Sequence, residues 1–395
     1  MFLLLLQEEM CLQSKKLNLA PGGPEDDDGV PAFLAKAMSP PHEKSVMNAL
    51  ELLVELGAME PDTNELTSLG MCLSVLSLEP RVGKMVIYSH LLGCARASAC
   101  MGVAMSYKSP FILPPPSARR SSDLAKVELS RGSESDQVTI LYAINERDKY
   151  IRQNRNGAFK GFCDRNFLGI STLQMIGDLR ENLSRELSSL GFPKSSSLEG
   201  YHNRHDSQGY LSLWQAAIAA GLYPNVAFRK RGDSNFSTMT NRKAKIHVSS
   251  VNAARGQPLN GKSQVAKGEV EFVAFGEMVR GVTSFTMSQT THLASPLPLV
   301  LLCGNTLRVY PAAASDTATS ILSLDNWIVL SCPADTASAI VTLRKRVESA
   351  FWCITGDPSA GMSNLSEAER DAVETLAMVL QSGHNEAPDR SIPNK

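Results

Sequence analysis

No apolar stretch in the 395 residues approaches the ~18 residues that a membrane-spanning helix needs. The greasy start at residues 1–6 is shorter than the ~7–15-residue core of a secretory signal and has no basic lead. The expectation is therefore a cytoplasmic or nuclear protein, neither secreted nor bound to a membrane. The eight cysteines form no Cys-x-x-Cys pair. Scattered among apolar neighbours, they read as reduced core thiols rather than as a disulfide framework or a zinc site. General basicity is missing too, since the formal net charge is −1. No Gly-x-Ser-x-Gly elbow announces a hydrolase nucleophile, and no internal repeat announces a solenoid.

What is present is a chain with 43% apolar residues, enough to bury a sizeable core over two to four domains. Its focus is residues 244–304. Short runs rich in β-branched and aromatic residues (245–252, 270–275, 282–287 and 297–304) are bounded by Gly, Pro and Ser. Such runs predict strands of a small barrel or curled sheet. The flank is locally basic: Arg229, Lys230, Arg231, Arg242, Lys243, Lys245, Arg255, Lys262 and Lys267, with Asp233 as the one acid among them. A positive rim on a small barrel suits a single-stranded nucleic acid, whereas an ordinary solvated loop would carry lysines just as well.

Upstream, helical periodicity predicts helices over residues 3–19, 41–56 and 80–92, with Gly57 closing the second. A small two-stranded wing is expected at 58–60 and 66–67. Residues 95–223 read as mainly helical, broken by the extended stretch 109–117. Ile176, Leu179, Leu183, Leu187 and Leu190 mark the clearest helix, over 167–190, stopped by Gly191. A helix over 208–220 should end at Gly221. Downstream, 323–330 reads as one further strand, followed by a helix carrying Ile340, Leu343, Val347 and Phe351. The remainder reads as a polar tail with a short helix capped by a Ser366–Glu369 capping box, and disorder from Gly383.

Two motifs invite chemistry. Residues 256–263 fit G-x-x-x-x-G-K-[ST], with Gly261, Lys262 and Ser263 as nucleotide ligands of a phosphate-binding loop. That loop needs a strand before it and a helix after it, but Gly268 and a strand pattern follow. His202, His205 and Asp206 offer three candidate metal ligands on a polar loop, one short of a structural zinc set.

Four blocks, in order, carry a resemblance. They are residues 9–13 with 33–41, 49–58 and 66–70; 82–87 with 108–111; 163–168 with 219–224; and 247–252 (His-Val-Ser-Ser-Val-Asn) with 301–304 and 324–329. Together they resemble the C-terminal region of DEAH/RHA-type ATP-dependent RNA helicases, the RNA helicase A/maleless-like group. The resemblance implies an α+β multidomain chain. It would hold a degenerate winged helix (1–94), a helical ratchet bundle or helicase-associated domain (95–225), a small OB-like β-barrel with a C-terminal helix (226–355) and the polar tail (356–395). It implies a non-catalytic module that grips single-stranded RNA. ATP and magnesium would bind RecA-like lobes, which have no counterpart in this sequence. The expected partners are single-stranded RNA and either those lobes or a helicase activator protein. The implied nucleic-acid-binding residues are Arg229, Lys230, Arg231, Arg242, Lys245, His247, Ser249, Ser250 and Asn252, with Lys108 and Ser109. Cations would neutralise phosphates, and Ser, Asn and His would hydrogen-bond phosphate or sugar. The alternatives are a stand-alone P-loop nucleotide hydrolase and a protein-interaction scaffold.

Overall fold

The computed structural model describes residues 2–23, 25–193, 207–230, 232–240, 242–253, 270–281, 284–313 and 316–385. The first helices are α1 (Phe2–Lys16), α2 (Val30–Leu34), α3 (Glu43–Glu55), α4 (Ser68–Leu73) and α5 (Pro80–Leu91). Val46, Leu50 and Leu53 of α3 point inward, and Gly57 at φ +75° closes the helix, as its position predicts. Where a two-stranded wing is expected, there is one antiparallel bridge, Met59 with Leu66.

Further helices follow: α6 (Ala95–Ser106), α7 (Arg119–Ser130), α8 (Asp136–Arg152), α9 (Asn156–Arg165), α10 (Ile170–Ser189) and α11 (Ser207–Leu222). The α11 helix is the hub. Leu213, Ala216, Ala217, Ile218 and Ala219 are inaccessible to solvent, and the helix packs on α5, on the barrel and on the later helices. Gly221 does not end it, as expected from sequence, but lies within it. A Cβ there would sit 2.3 Å from Met85 Cβ, so this glycine permits the closest approach of α11 to α5.

The strands β1 (Val226–Lys230), β2 (Phe236–Thr238), β3 (Lys243–Ile246), β4 (Val270–Arg280) and β5 (Phe285–Leu293) close a barrel in the order β1-β2-β3-β5-β4. Only β3 with β5 is parallel among these pairs. Ala227, Phe236, Ala244, Val273, Phe275 and Met287 fill the interior. A helix, three strands and two helices follow: α12 (Leu297–Leu302), β6 (Leu307–Ala313), β7 (Asp316–Leu324), β8 (Ile328–Pro333), α13 (Ala334–Gly356) and α14 (Glu367–Asn385).

Four expectations fail here for visible reasons. The apolar run at 297–304 forms helix α12, because Pro298 falls in the first turn, where its missing N–H costs nothing. Its end is held by buried Arg344, which donates to the carbonyls of Val300 and Cys303 at 3.0 and 2.6 Å. Residues 323–330 form two strands, not one: Asp325 and Asn326 both have positive φ and make a tight hairpin turn. The run 245–252 is strand only to Ile246. The capped helix of the tail is not short: α14 runs for 19 residues, buries Val373, Leu376 and Leu380, and packs on α11 and α13. Its capping box is present, with Ser366 N donating to Glu369 Oε2 at 2.8 Å. The helix runs through Gly383 to Asn385, and residues 386–395 lie outside those described.

All eight cysteines are unpaired, and burial pushes the Cys11, Cys94 and Cys303 thiols up to about 12, as inert core thiols require. No described helix is long and apolar enough to cross a membrane. Gly221→Ala should cost about 2 kcal/mol of stability by overpacking, read as a lower urea midpoint with an unchanged slope.

Candidate nucleic-acid interface

The barrel meets the helical domain through a polar seam at the start of α8. Ser135 caps the helix, its Oγ accepting from Val138 N at 3.1 Å and lying 2.6 Å from Thr291 Oγ1. Asp136, 5% exposed, accepts from Val251 N and from Thr290 N, both at 2.9 Å. Gln137 donates from Nε2 to the Gln289 carbonyl at 2.6 Å and accepts from Thr291 Oγ1 at 2.6 Å. Three consecutive side chains, the α8 N-cap and its first two residues, thereby bind β5 and the turn that follows β3.

That turn, residues 247–252, carries four of the sequence-predicted site residues, and they divide by direction. Ser250 and Asn252 point inward. The Ser250 hydroxyl lies 2.7 Å from Thr290 Oγ1, and Asn252 Nδ2 donates to the Glu134 carbonyl at 2.9 Å and to Thr290 Oγ1 at 3.0 Å. Their side chains are buried and hydrogen-bonded within the protein, where they shape the turn. His247 and Ser249 point outward and are exposed, linked to each other by a 2.7 Å contact from His247 Nδ1 to Ser249 Oγ. The neighbouring Val248 is 81% exposed.

A residue that sequence reasoning passed over joins this turn to the helical domain. Lys126 of α7 donates to the Ser249 carbonyl, pairs with Asp136 Oδ1 at 3.3 Å and lies 4.6 Å from the centre of the Phe111 ring. Phe111 stands beside Lys108 and Ser109, both exposed, with Ser109 Oγ accepting from Phe111 N at 3.4 Å. Lys108 and Ser109 are thus brought to one surface with His247 and Ser249, with Lys126 between them. Its only sequence signal was a lone lysine on an amphipathic helix, which is unspecific.

On the barrel, the strand period aims Lys243 and Lys245 outward while Ala244 fills the core. Lys245 and Lys230 are exposed. Arg242 is exposed as well, with its guanidinium 5.1 Å from the centre of the Phe285 ring. Lys243 Nζ donates to Ser237 Oγ at 2.7 Å. Arg229 differs: it is opposite Glu271 on β4 and donates to its Oε2 from Nε and a terminal nitrogen at 3.1 and 2.6 Å. The His292 ring lies between Glu271 and Glu134, 3.5 and 3.3 Å away. Arg229 is therefore a cross-strand partner of Glu271.

Arg231 lies outside the described residues, as do His202, His205 and Asp206 and the motif with Gly261, Lys262 and Ser263. The described flanks of that motif are the 247–253 turn and the barrel strand β4. Among the described residues no group of three or more His, Cys, Asp or Glu is placed to hold a metal.

Replacing Asp136 by Asn should cost about 2–3 kcal/mol, since two amides and Lys126 lose a charged acceptor. Hydrogen exchange at the Val251 and Thr290 amides should accelerate before global unfolding.

Comparison with known proteins gives this geometry a lineage. Residues 79–167 match the ratchet-like helicase-associated domain (HA2), and residues 214–306 match the oligonucleotide/oligosaccharide-binding (OB) fold. The DExH-box ATP-dependent RNA helicase DExH1 of Arabidopsis thaliana is 31% identical over 89% of this chain and 32% of its own length. The mouse ATP-dependent RNA helicase DHX29 is 31% identical over 90% of this chain and 24% of its own. The bovine ATP-dependent DNA/RNA helicase DHX36 is 27% identical over 86% of this chain and 32% of its own. The chain spans about a third or less of the length of these relatives. With a ratchet-like helical domain locked to a five-stranded OB barrel, the chain is similar to the C-terminal region of DEAH-type RNA helicases.

Proposed function

We propose that the chain grips single-stranded RNA by its sugar-phosphate backbone, as the non-catalytic clamp of a DEAH-type helicase. The observation that carries this reading is the meeting of the 108–111 loop and the 247–249 turn around Lys126, continuous with the outward lysines of β3. OB barrels take oligonucleotides on the β2–β3 face and its bordering loops. Here that face bears Lys243 and Lys245, with Arg242 just before them and His247 just after. Lysines and arginine neutralise phosphates. Ser109, Ser249 and His247 supply hydrogen bonds, which position the strand without reading its sequence.

Residues 1–94 are the proposed degenerate winged helix, with the Met59–Leu66 bridge as its vestigial wing. ATP and magnesium belong, in this reading, to RecA-like lobes, to which the clamp would dock. The two described sheets are a mostly antiparallel barrel and an antiparallel three-stranded sheet, neither of them a parallel nucleotide-binding sheet. The purified chain is expected to turn over no ATP.

Fluorescence anisotropy with labelled oligouridylate tests the proposal. Arg242→Glu with Lys245→Glu should weaken binding at least ~10-fold and flatten the salt slope by roughly 0.7 for each phosphate no longer neutralised. Ser250→Ala should lower thermal stability and leave the salt slope alone. Unchanged affinity and slope in the charge-reversed variant would remove the RNA clamp.

A further inference from the structure

A second charged feature, of opposite sign, lies between the N-terminal helices and the barrel. A cleft of about 1060 Å³ runs between α1, α3 and strand β4. Five glutamates line it, Glu8, Glu51, Glu55, Glu79 and Glu277, against one cation, Arg81. Nucleic acid is repelled by such a field. Apolar surface alternates with the charge: Met47, Leu50, Val54, Phe275 and Met278 also face the cleft.

Gln7, 7% exposed, and Asn64, 2% exposed, back the cleft wall, and their Oε1 and Nδ2 atoms are closed to solvent. Strand β4, on the barrel side of the cleft, has room for a peptide backbone. Beyond Gly276, β4 pairs with β5 up to Arg280 opposite Phe285, but β1 begins at Val226 opposite Ala274. Asn225 fills the next position, accepting from Phe275 N at 2.9 Å and donating to the Gly276 carbonyl at 3.1 Å. No described strand flanks that side of residues 277–280.

We infer that this cleft is a docking site for an extended, basic segment of a partner protein, with arginine or lysine alternating with apolar residues. Its backbone pairs along the free side of β4. Its cations meet Glu8, Glu79 and Glu277, and its alternate side chains rest on Met47, Leu50 and Met278. Burial, with the Glu79 charge nearby, pushes the Glu8 carboxyl up to about 7, against the weaker pull of Arg81. Glu51 and Glu55 from α3 and Glu277 from β4 face the same space. A bound cation favours the ionised form of Glu8, so docking should tighten as pH rises from 6 to 8.

The probe is a short fluorescein-labelled peptide of alternating arginine and leucine, titrated with the whole chain at near-physiological salt. Its counterpart with glutamate in place of arginine should not bind, and N-methylation at alternate residues should weaken it. Glu8→Gln with Glu79→Gln should weaken it at least ~10-fold, about 1.4 kcal/mol. Glu277→Gln gives an independent check from the barrel side. Glu25→Gln with Asp27→Asn, in the exposed acidic run, should leave peptide affinity unchanged. Oligouridylate affinity should be the same in all these variants, which keeps this site separable from the RNA surface. Equal binding of the glutamate peptide, undiminished affinity in both cleft variants, or an effect of those variants on RNA affinity would each overturn the assignment.

Discussion

The structure turns on a buried carboxylate. Asp136 stands at the first turn of α8, where the positive end of a helix favours an anion. It accepts from the amides of Thr290 on β5 and Val251 in the turn, and pairs with Lys126. Each of these partners belongs to a different part of the chain; without Asp136 the two amides lose their acceptor and Lys126 loses its carboxylate. A buried charge that loses its partners costs several kcal/mol, so this seam tolerates little sliding. The consequence is geometric. The turn at 247–252 is held by the helical domain as firmly as by its own barrel, so the outward groups of both domains present one fixed surface. A strand gripped there would feel both domains as one body.

The near-zero net charge conceals a separation. Cations collect on the β2–β3 side of the barrel and around Lys126, and glutamates collect in the cleft under the other half of β4. Summed, they nearly cancel; locally, each would favour a different class of partner. One small barrel can thus serve a polyanion on one side and a basic segment on the other.

Much of the fold was legible from sequence where the signal was local. Gly57 closed α3 because a helix end needs a residue tolerant of positive φ, and the Ser366–Glu369 box capped α14 through bonds three residues apart. Signals that depend on distant partners were not legible. Ser250 and Asn252 have the composition of phosphate ligands. Only the arrival of Thr290 and Glu134 alongside them shows that they serve the interior. Arg229 looked like part of a basic cluster until the strand register set Glu271 opposite it. Gly221 looked like a helix stop, since sequence does not reveal that Met85 presses on it from another helix. The helix at 297–302 was hidden by a run of apolar residues that suits helix and strand alike. The turn at Asp325–Asn326 did have a local signature, two residues tolerant of positive φ between strand-forming runs, and was the avoidable miss.

The most direct test of a shared two-domain grip is a map of ultraviolet crosslinks between oligouridylate and the intact chain, read by mass spectrometry. The account predicts crosslinked peptides from both the loop holding Lys108 to Phe111 and the turn holding His247 to Ser249, in the same preparation. Crosslinks confined to one of the two, or gathered in the acidic cleft beside β4, would contradict it.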